Sequence, residues 1–205
     1  MRMKRMEQAI RGMGMALTVS MGVTVVLLLL QGRWREALPL HLCSLCALAA
    51  ACLALRLSQL LLDVLWYLGM PGALLALVFP APAVSFFQPL FNLSYAVTHL
   101  LILLIPALRM VLGMRPRTRR ALPMFLLLQG AAAAAYLANR MLGTDFLFLA
   151  APPAGTPLEG RFAFGYPLYL LALEALGALM VFGMHALIPF LPAQKQGRRK
   201  LTLCG

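Results

Sequence analysis

Cys43, His41 and His99 are the residues of this chain best equipped for bond-making chemistry. A thiolate is a strong nucleophile, and an imidazole within hydrogen-bond reach of a thiol can take its proton. The carboxamides of Asn139 and Asn92 and the phenols of Tyr166 and Tyr95 can position a bound group by hydrogen bonding. Glu174 can hold a proton or coordinate a solute. No ligand-rich spacing accompanies His41, Cys43 and His99, so no metal is expected. There is no Walker loop, dinucleotide fingerprint, Ser-His-Asp spacing or zinc-protease motif, and no cofactor is expected.

These groups sit in a chain whose solvent is lipid. Of 205 residues, 62% are hydrophobic and only 12% charged. A soluble domain of this size cannot hide that much apolar surface; typical values are about 45–50% apolar and about 25% charged. Six apolar stretches approach the roughly 20 residues that cross about 30 Å of hydrocarbon. They run from Met13 to Gln31, from Pro39 to Arg56, from Leu57 to Val78, from Leu90 to Leu112, from Ala121 to Leu142 and from Tyr166 to Ile188. Lipid offers the backbone no partners, so each is expected to be helical. The expected fold is an all-α membrane protein, a six-helix transmembrane bundle. Residues 1–12 form a basic N-terminus, 13–190 the single membrane domain and 191–205 a basic tail.

The net charge of +12 is first a topology signal. Alternating spans put fourteen of the eighteen Lys and Arg residues on one side, including Arg109, Arg115, Arg117, Arg119 and Arg120. The positive-inside rule then places both termini in the cytoplasm. The basic residues orient the bundle, and no nucleic-acid partner is expected. The apolar run up to Leu30 has a basic start but no small-residue cleavage site after it, so it reads as a retained span and not a signal peptide. Pro80–Pro89 and Ala150–Gly165 are expected as outer loops, the second a candidate entrance.

Depth sorts the polar residues. At 1.5 Å of rise per residue, Cys43, His41, His99, Glu174 and Asn139 lie roughly 3–11 Å to the outer side of their spans' middles. Asp63 and His185 fall on the inner half and are expected to be structural, Asp63 in a stripe with Arg56 and Gln59. Asn92, Tyr95 and His99, at i, i+3 and i+7, share one helix face that is expected to look into the bundle. If Pro39 occupies the first helical position, His41 and Cys43 stand about 200° apart, and only an irregular first turn lets both reach one cavity.

The segment Leu38-Pro39-Leu40-His41-Leu42-Cys43-Ser44-Leu45 resembles the YwaF-type bacterial integral membrane family. So do Trp66-Tyr67-Leu68-Gly69 with Gly72-Ala73-Leu74 and Pro80, the span containing His99, and Asn139 followed by Gly143–Leu149, Pro152-Pro153 and Gly165–Tyr169. That family is similar to the eukaryotic transmembrane protein 164, an acyltransferase that moves fatty acyl chains onto lyso ether phospholipids. The resemblance implies a bacterial cytoplasmic membrane, membrane lipids as partners and a phospholipid or fatty-acyl substrate. It matches His99 and His41, but Leu40 stands where the eukaryotic nucleophile falls. Cys43 inherits the role only if the helix start lets it face the same cavity.

The leading expectation is acyl transfer or hydrolysis, with Cys43 as nucleophile, His99 as general base, His41 as orienting or oxyanion group, and Asn139 and Tyr166 as positioners. A second reading is a binder or transporter of a small solute or headgroup, centred on Glu174. A third is a packing subunit for another membrane protein. The pair Cys43-x-x-Cys46 also resembles quinone-linked thiol oxidoreductases of the DsbB type, which need a further outer cysteine pair that Cys52 and Cys204 do not supply.

Overall fold

The computed structural model describes residues 2–79, 88–153, 156, 158–159 and 165–192. Residues 80–87 of the expected Pro80–Pro89 loop, half of the second outer loop and nearly all of the basic tail lie outside the described residues. Helices are α1 (Arg2–Leu30), α2 (Leu42–Leu55), α3 (Gln59–Val64), α4 (Met70–Val78), α5 (Gln88–Val111), α6 (Ala121–Leu142) and α7 (Tyr166–Leu187). A π-helical turn, Leu65–Gly69, joins α3 to α4. No strand occurs among the described residues, and the protein is an all-helical, multi-pass membrane protein.

Five segments are long and apolar enough to cross a bilayer: Met3–Leu30, Gln59–Val78, Pro89–Val111, Thr118–Leu142 and Tyr166–Phe190. The second expected span is shorter than its apolar run. Leu40 N–H donates to Leu38 O at 2.8 Å, a tight turn about Pro39. His41 is extended (φ −72°, ψ 144°) and serves as the N-cap of α2. The helix therefore starts at Leu42, not Pro39, and its 14 residues span about 21 Å. Pro39 lines the same cavity as Leu28 of α1, so non-helical chain lies beside the last turns of a membrane helix. Irregular backbone at such depth is tolerated where it lines a cavity.

The Pro71-Gly72 step does not break the third span. A proline lacks the N–H for the bond four residues back, and its ring crowds that carbonyl. The chain widens instead: Met70 N–H donates to Leu65 O, a π-turn that absorbs the misfit. Leu65, Trp66, Tyr67, Leu68 and Gly69 of this turn are all buried and form the centre of the molecule. A Cβ on Gly69 would lie 2.9 Å from Leu65 Cδ2 and 3.3 Å from Ile102 Cγ2, so a side chain here would push against Leu65 and against Ile102 of α5. On one side of the turn, α1, α2 and α5 pack on one another. On the other, α6 and α7 pair together and both touch the turn, and α7 also touches α4.

Buried charge ties the basic end. Arg109, in the last turn of α5, is 2% exposed. Its Nη1 donates to both Glu7 carboxylate oxygens (2.9 and 2.7 Å). Nε donates to Leu53 O (3.2 Å) and Nη2 to Ala54 O (2.8 Å). Those carbonyls end α2 and have no partner within the helix. Glu7 explains why α1 starts at Arg2 and not near Met13: the basic N-terminus continues the helix down to this pair. Asp63, fully buried, accepts from Arg117 N–H and Gln59 Nε2 (both 3.0 Å) and faces Arg120 Nε at 3.8 Å. The expected partner Arg56 is displaced because it is the extended C-cap of α2 (φ −130°), outside the helix that carries Gln59 and Asp63.

Removing Arg109 leaves two buried helix-end carbonyls without their donor, so Arg109→Ala is expected to lower stability by about 1–3 kcal/mol for each of them; Glu7, 39% exposed, can turn to solvent. Arg109→Lys is expected to recover only part, since three N–H groups on one nitrogen cannot reach the four acceptor atoms that the guanidinium spans. Unfolding in mixed detergent micelles, followed by helical circular dichroism, measures both.

Candidate functional site

Cys43 is the second residue of α2 and is half-buried. It shares a cavity of about 120 Å³ with His99 and Tyr95 of α5, Thr24 of α1, and Glu36 and Pro39 of the α1–α2 connection. His99 is 2% exposed. Its Nδ1 lies 2.7 Å from Tyr95 O. A carbonyl only accepts, so Nδ1 carries the proton and Nε2 keeps the lone pair of a base. The Tyr95 ring lies against the imidazole, centroids 4.1 Å apart, and its hydroxyl donates to Ala76 O at 2.9 Å, at the end of α4. The base is thus held from two sides. The first turn of α2 receives no side-chain cap from His41, and the leading N–H groups of a helix have no partner within it.

A hydroxyl cluster that sequence reasoning missed floors this region. Ser20 Oγ lies 3.0 Å from both Ser94 Oγ and Thr98 Oγ1, and Thr24 Oγ1 lies 2.7 Å from Ser94 Oγ. Ser20 also donates to Ser94 O and Ser94 to Ser20 O (2.9 and 2.7 Å). The signal was present: two Ser/Thr pairs at i, i+4, each on one face of a span. At the mouth, Glu36 accepts from Arg33 Nε at 2.9 Å. The hydrogen bonds that Arg33 donates to this carboxylate hold its guanidinium above its ordinary pKa.

The other expected site residues are elsewhere. Asn92 is exposed and does not line the cavity; on α5 the inward positions are Ser94, Tyr95, Thr98 and His99. His41 turns away from Cys43, its ring edge-on to Phe146 (5.2 Å) and beside Phe148 (5.8 Å). Glu174 is exposed on α7 and accepts from Gln129 Nε2 of α6 at 2.7 Å. Asn139 and Tyr166 line a different cavity, of about 390 Å³, at the end of α6. The expected single pocket is therefore two. The reason is the packing: α6 and α7 pair with each other, and Cys43 and His99 belong to the group of α1, α2 and α5.

Asn139 organises the turn that follows α6. Its Oδ1 accepts from Phe146 N–H (2.7 Å) and Thr144 Oγ1 (3.0 Å), and its Nδ2 donates to Phe146 O (3.0 Å). Gly143 ends α6 in the left-handed region (φ 65°), as a helix C-terminus favours. Leu147 and Phe148 also have positive φ (59° and 55°), a conformation that costs a side-chain-bearing residue about 1–3 kcal/mol. Tyr169 Oη to Phe148 O and Tyr166 Oη to Leu149 O hold them there. Cys43, Cys46 and Cys52 are all free. Among the described residues no group of His, Cys, Asp or Glu could hold a metal ion.

The sequence model of the TMEM164 family matches residues 2–185. No curated protein and no solved structure matches the chain.

Three hydrogen bonds at about 1 kcal/mol each make Asn139 the clamp on the turn against which His41 packs. Asn139→Ala is expected to remove hydrogen-exchange protection from the Phe146 amide while leaving the amides in the middle of α5 unchanged. Equal protection in the variant and the wild type contradicts that role.

Proposed function

The chain belongs to the TMEM164 family, and from that premise we propose that it is a membrane enzyme transferring fatty acyl groups between lipids through Cys43 and His99. The observation that carries the reading is the shared cavity of a thiol and an imidazole whose free nitrogen is a base. Its volume, about 120 Å³, lies below the roughly 300–1,000 Å³ of a pocket that engulfs a drug-sized ligand. It suits a reacting ester whose chains stay in the bilayer.

Chemistry follows from the two groups. His99 Nε2 takes the thiol proton as Cys43 Sγ attacks the acyl carbonyl of a donor lipid. The tetrahedral oxyanion is stabilised by the uncapped N–H groups at the start of α2. The ester C–O bond breaks, and His99 returns the proton to the departing alcohol, leaving a thioester on Cys43. The hydroxyl of an acceptor lysolipid then gives its proton to His99 and attacks the thioester. The C–S bond breaks, and the thiolate recovers the proton. Tyr95 positions the base through its carbonyl and ring. In this reading His41 is a wall residue and not an oxyanion donor, because its ring is engaged by Phe146 and Phe148. Asn139 is a structural clamp.

The test is acyl exchange between a phospholipid and a lysophospholipid in reconstituted vesicles. Cys43→Ala and His99→Ala are each expected to slow transfer by about a thousandfold or more, because nucleophile and base act as a unit. The exposed Cys52→Ser is expected to transfer at the wild-type rate. Wild-type transfer by Cys43→Ala overturns the reading.

A further inference from the structure

The cavity at the end of α6 is lined by Tyr136, Asn139, Arg140, Thr144 and Tyr166, together with Leu149 and Ala150. Most of its polar groups are already spent. Thr144 Oγ1 donates to Asn139, Asn139 is engaged by Phe146, and Tyr166 donates to Leu149 O. Two groups are not. The Arg140 guanidinium and the Tyr136 hydroxyl have no partner among the described residues. They stand four residues apart on one face of α6, so both reach the same space.

Arg140 is unlike the other described arginines of this end. Arg33 pairs with Glu36, and Arg35 Nη1 donates to Leu142 O at 3.0 Å and its guanidinium lies over Trp34. Two of the last carbonyls of α6 are also satisfied without Arg140. Of the terminal carbonyls of α6, Leu142 O takes Arg35 and Asn139 O takes Gly143 N–H (3.0 Å). What remains is a set of donors with no acceptor among the described residues: up to five guanidinium N–H groups and a phenol. They open into a cavity of about 390 Å³, within the usual range of about 300–1,000 Å³ for ligand sites. The site lies in the last turn of a span of the bilayer-crossing type, the level at which lipid headgroups sit.

We infer that this cavity is a docking site for a phosphate group, held by Arg140 and Tyr136. A guanidinium fork matches two phosphate oxygens, and the phenol can donate to a third. The site is distinct from the Cys43–His99 cavity, and the inference does not rest on acyl transfer. The phosphate can be borne by a phospholipid headgroup or be a free anion, and the two sources are separable by experiment.

Full-length protein purified in detergent is offered phosphatidate, or diacylglycerol with the same chains, and retained lipid is counted by native mass spectrometry. The wild type is expected to keep phosphatidate and not diacylglycerol. Arg140→Gln is expected to weaken retention at least about tenfold, with Arg140→Lys between the two. The Cys43→Ala protein is expected to bind as the wild type does, so failure of the acyl-transfer reading leaves this result intact. Displacement of phosphatidate by millimolar inorganic phosphate identifies the anion alone as sufficient; retention against it identifies the lipid-borne phosphate. Equal retention of phosphatidate by Arg140→Gln and wild type, or equal retention of both lipids by the wild type, overturns the inference. Unchanged helical circular dichroism in both variants shows that the exposed position tolerates the change.

Discussion

Helix ends are the constraint around which this bundle is built. Every helix leaves carbonyls at its C-terminus without an internal partner, and in lipid no water stands ready to satisfy them. Side chains from neighbouring helices and connections do the work. Arg109 of α5 reaches Leu53 O and Ala54 O at the end of α2. Arg115 reaches Leu191 O beyond α7 (2.8 Å), and Trp66 Nε1 reaches Met184 O within it (3.1 Å). Tyr95 reaches Ala76 O in α4, and Arg35 reaches Leu142 O in α6. Each such bond joins two elements, so satisfying the backbone also fixes tertiary structure. Arg109 is the deepest of them, and Glu7 balances its charge while pinning α1.

The same constraint shapes the Cys43 cavity. α2 is short because its start is delayed by the turn about Pro39. The delay leaves extended chain where a full span would continue as helix. That chain, not a helix face, forms part of the cavity wall and brings Glu36 and Pro39 beside His99. The N-terminus of α2 is left without a side-chain cap beside a thiol and a base, a place where negative charge is favoured. The tyrosine that caps α4 is also the residue whose carbonyl and ring hold His99. Structural and chemical roles therefore share residues, and Tyr95 cannot be changed for one without touching the other.

The split between two cavities follows from the π-turn. Its buried residues separate the group of α1, α2 and α5 from the pair α6 and α7. The polar residues at one depth are thereby divided. Cys43 and His99 fall on one side, Asn139, Arg140 and Tyr166 on the other. Shared depth expected from the sequence was a poor guide to partnership.

Hydropathy and charge alone determined that this is an all-helical membrane protein, and they located its apolar segments to within a few residues in most cases. Lipid punishes polar surface so strongly that long apolar runs have almost no other use. The thiol and imidazole were visible as candidates by residue type. Which way they point was not. In a soluble helix the apolar stripe marks the buried face, but a membrane helix is apolar all round. Asn92 and His99 sit on one sequence stripe, yet only His99 lines the cavity. Glu174 at mid-span is exposed beside Gln129, and Arg109, countable only as a topology charge, is buried at a three-helix junction. These outcomes depend on which helix packs against which. That choice is made by close approaches such as Gly69 against Ile102 and by long-range polar bonds, and neither is written in the periodicity of a single span.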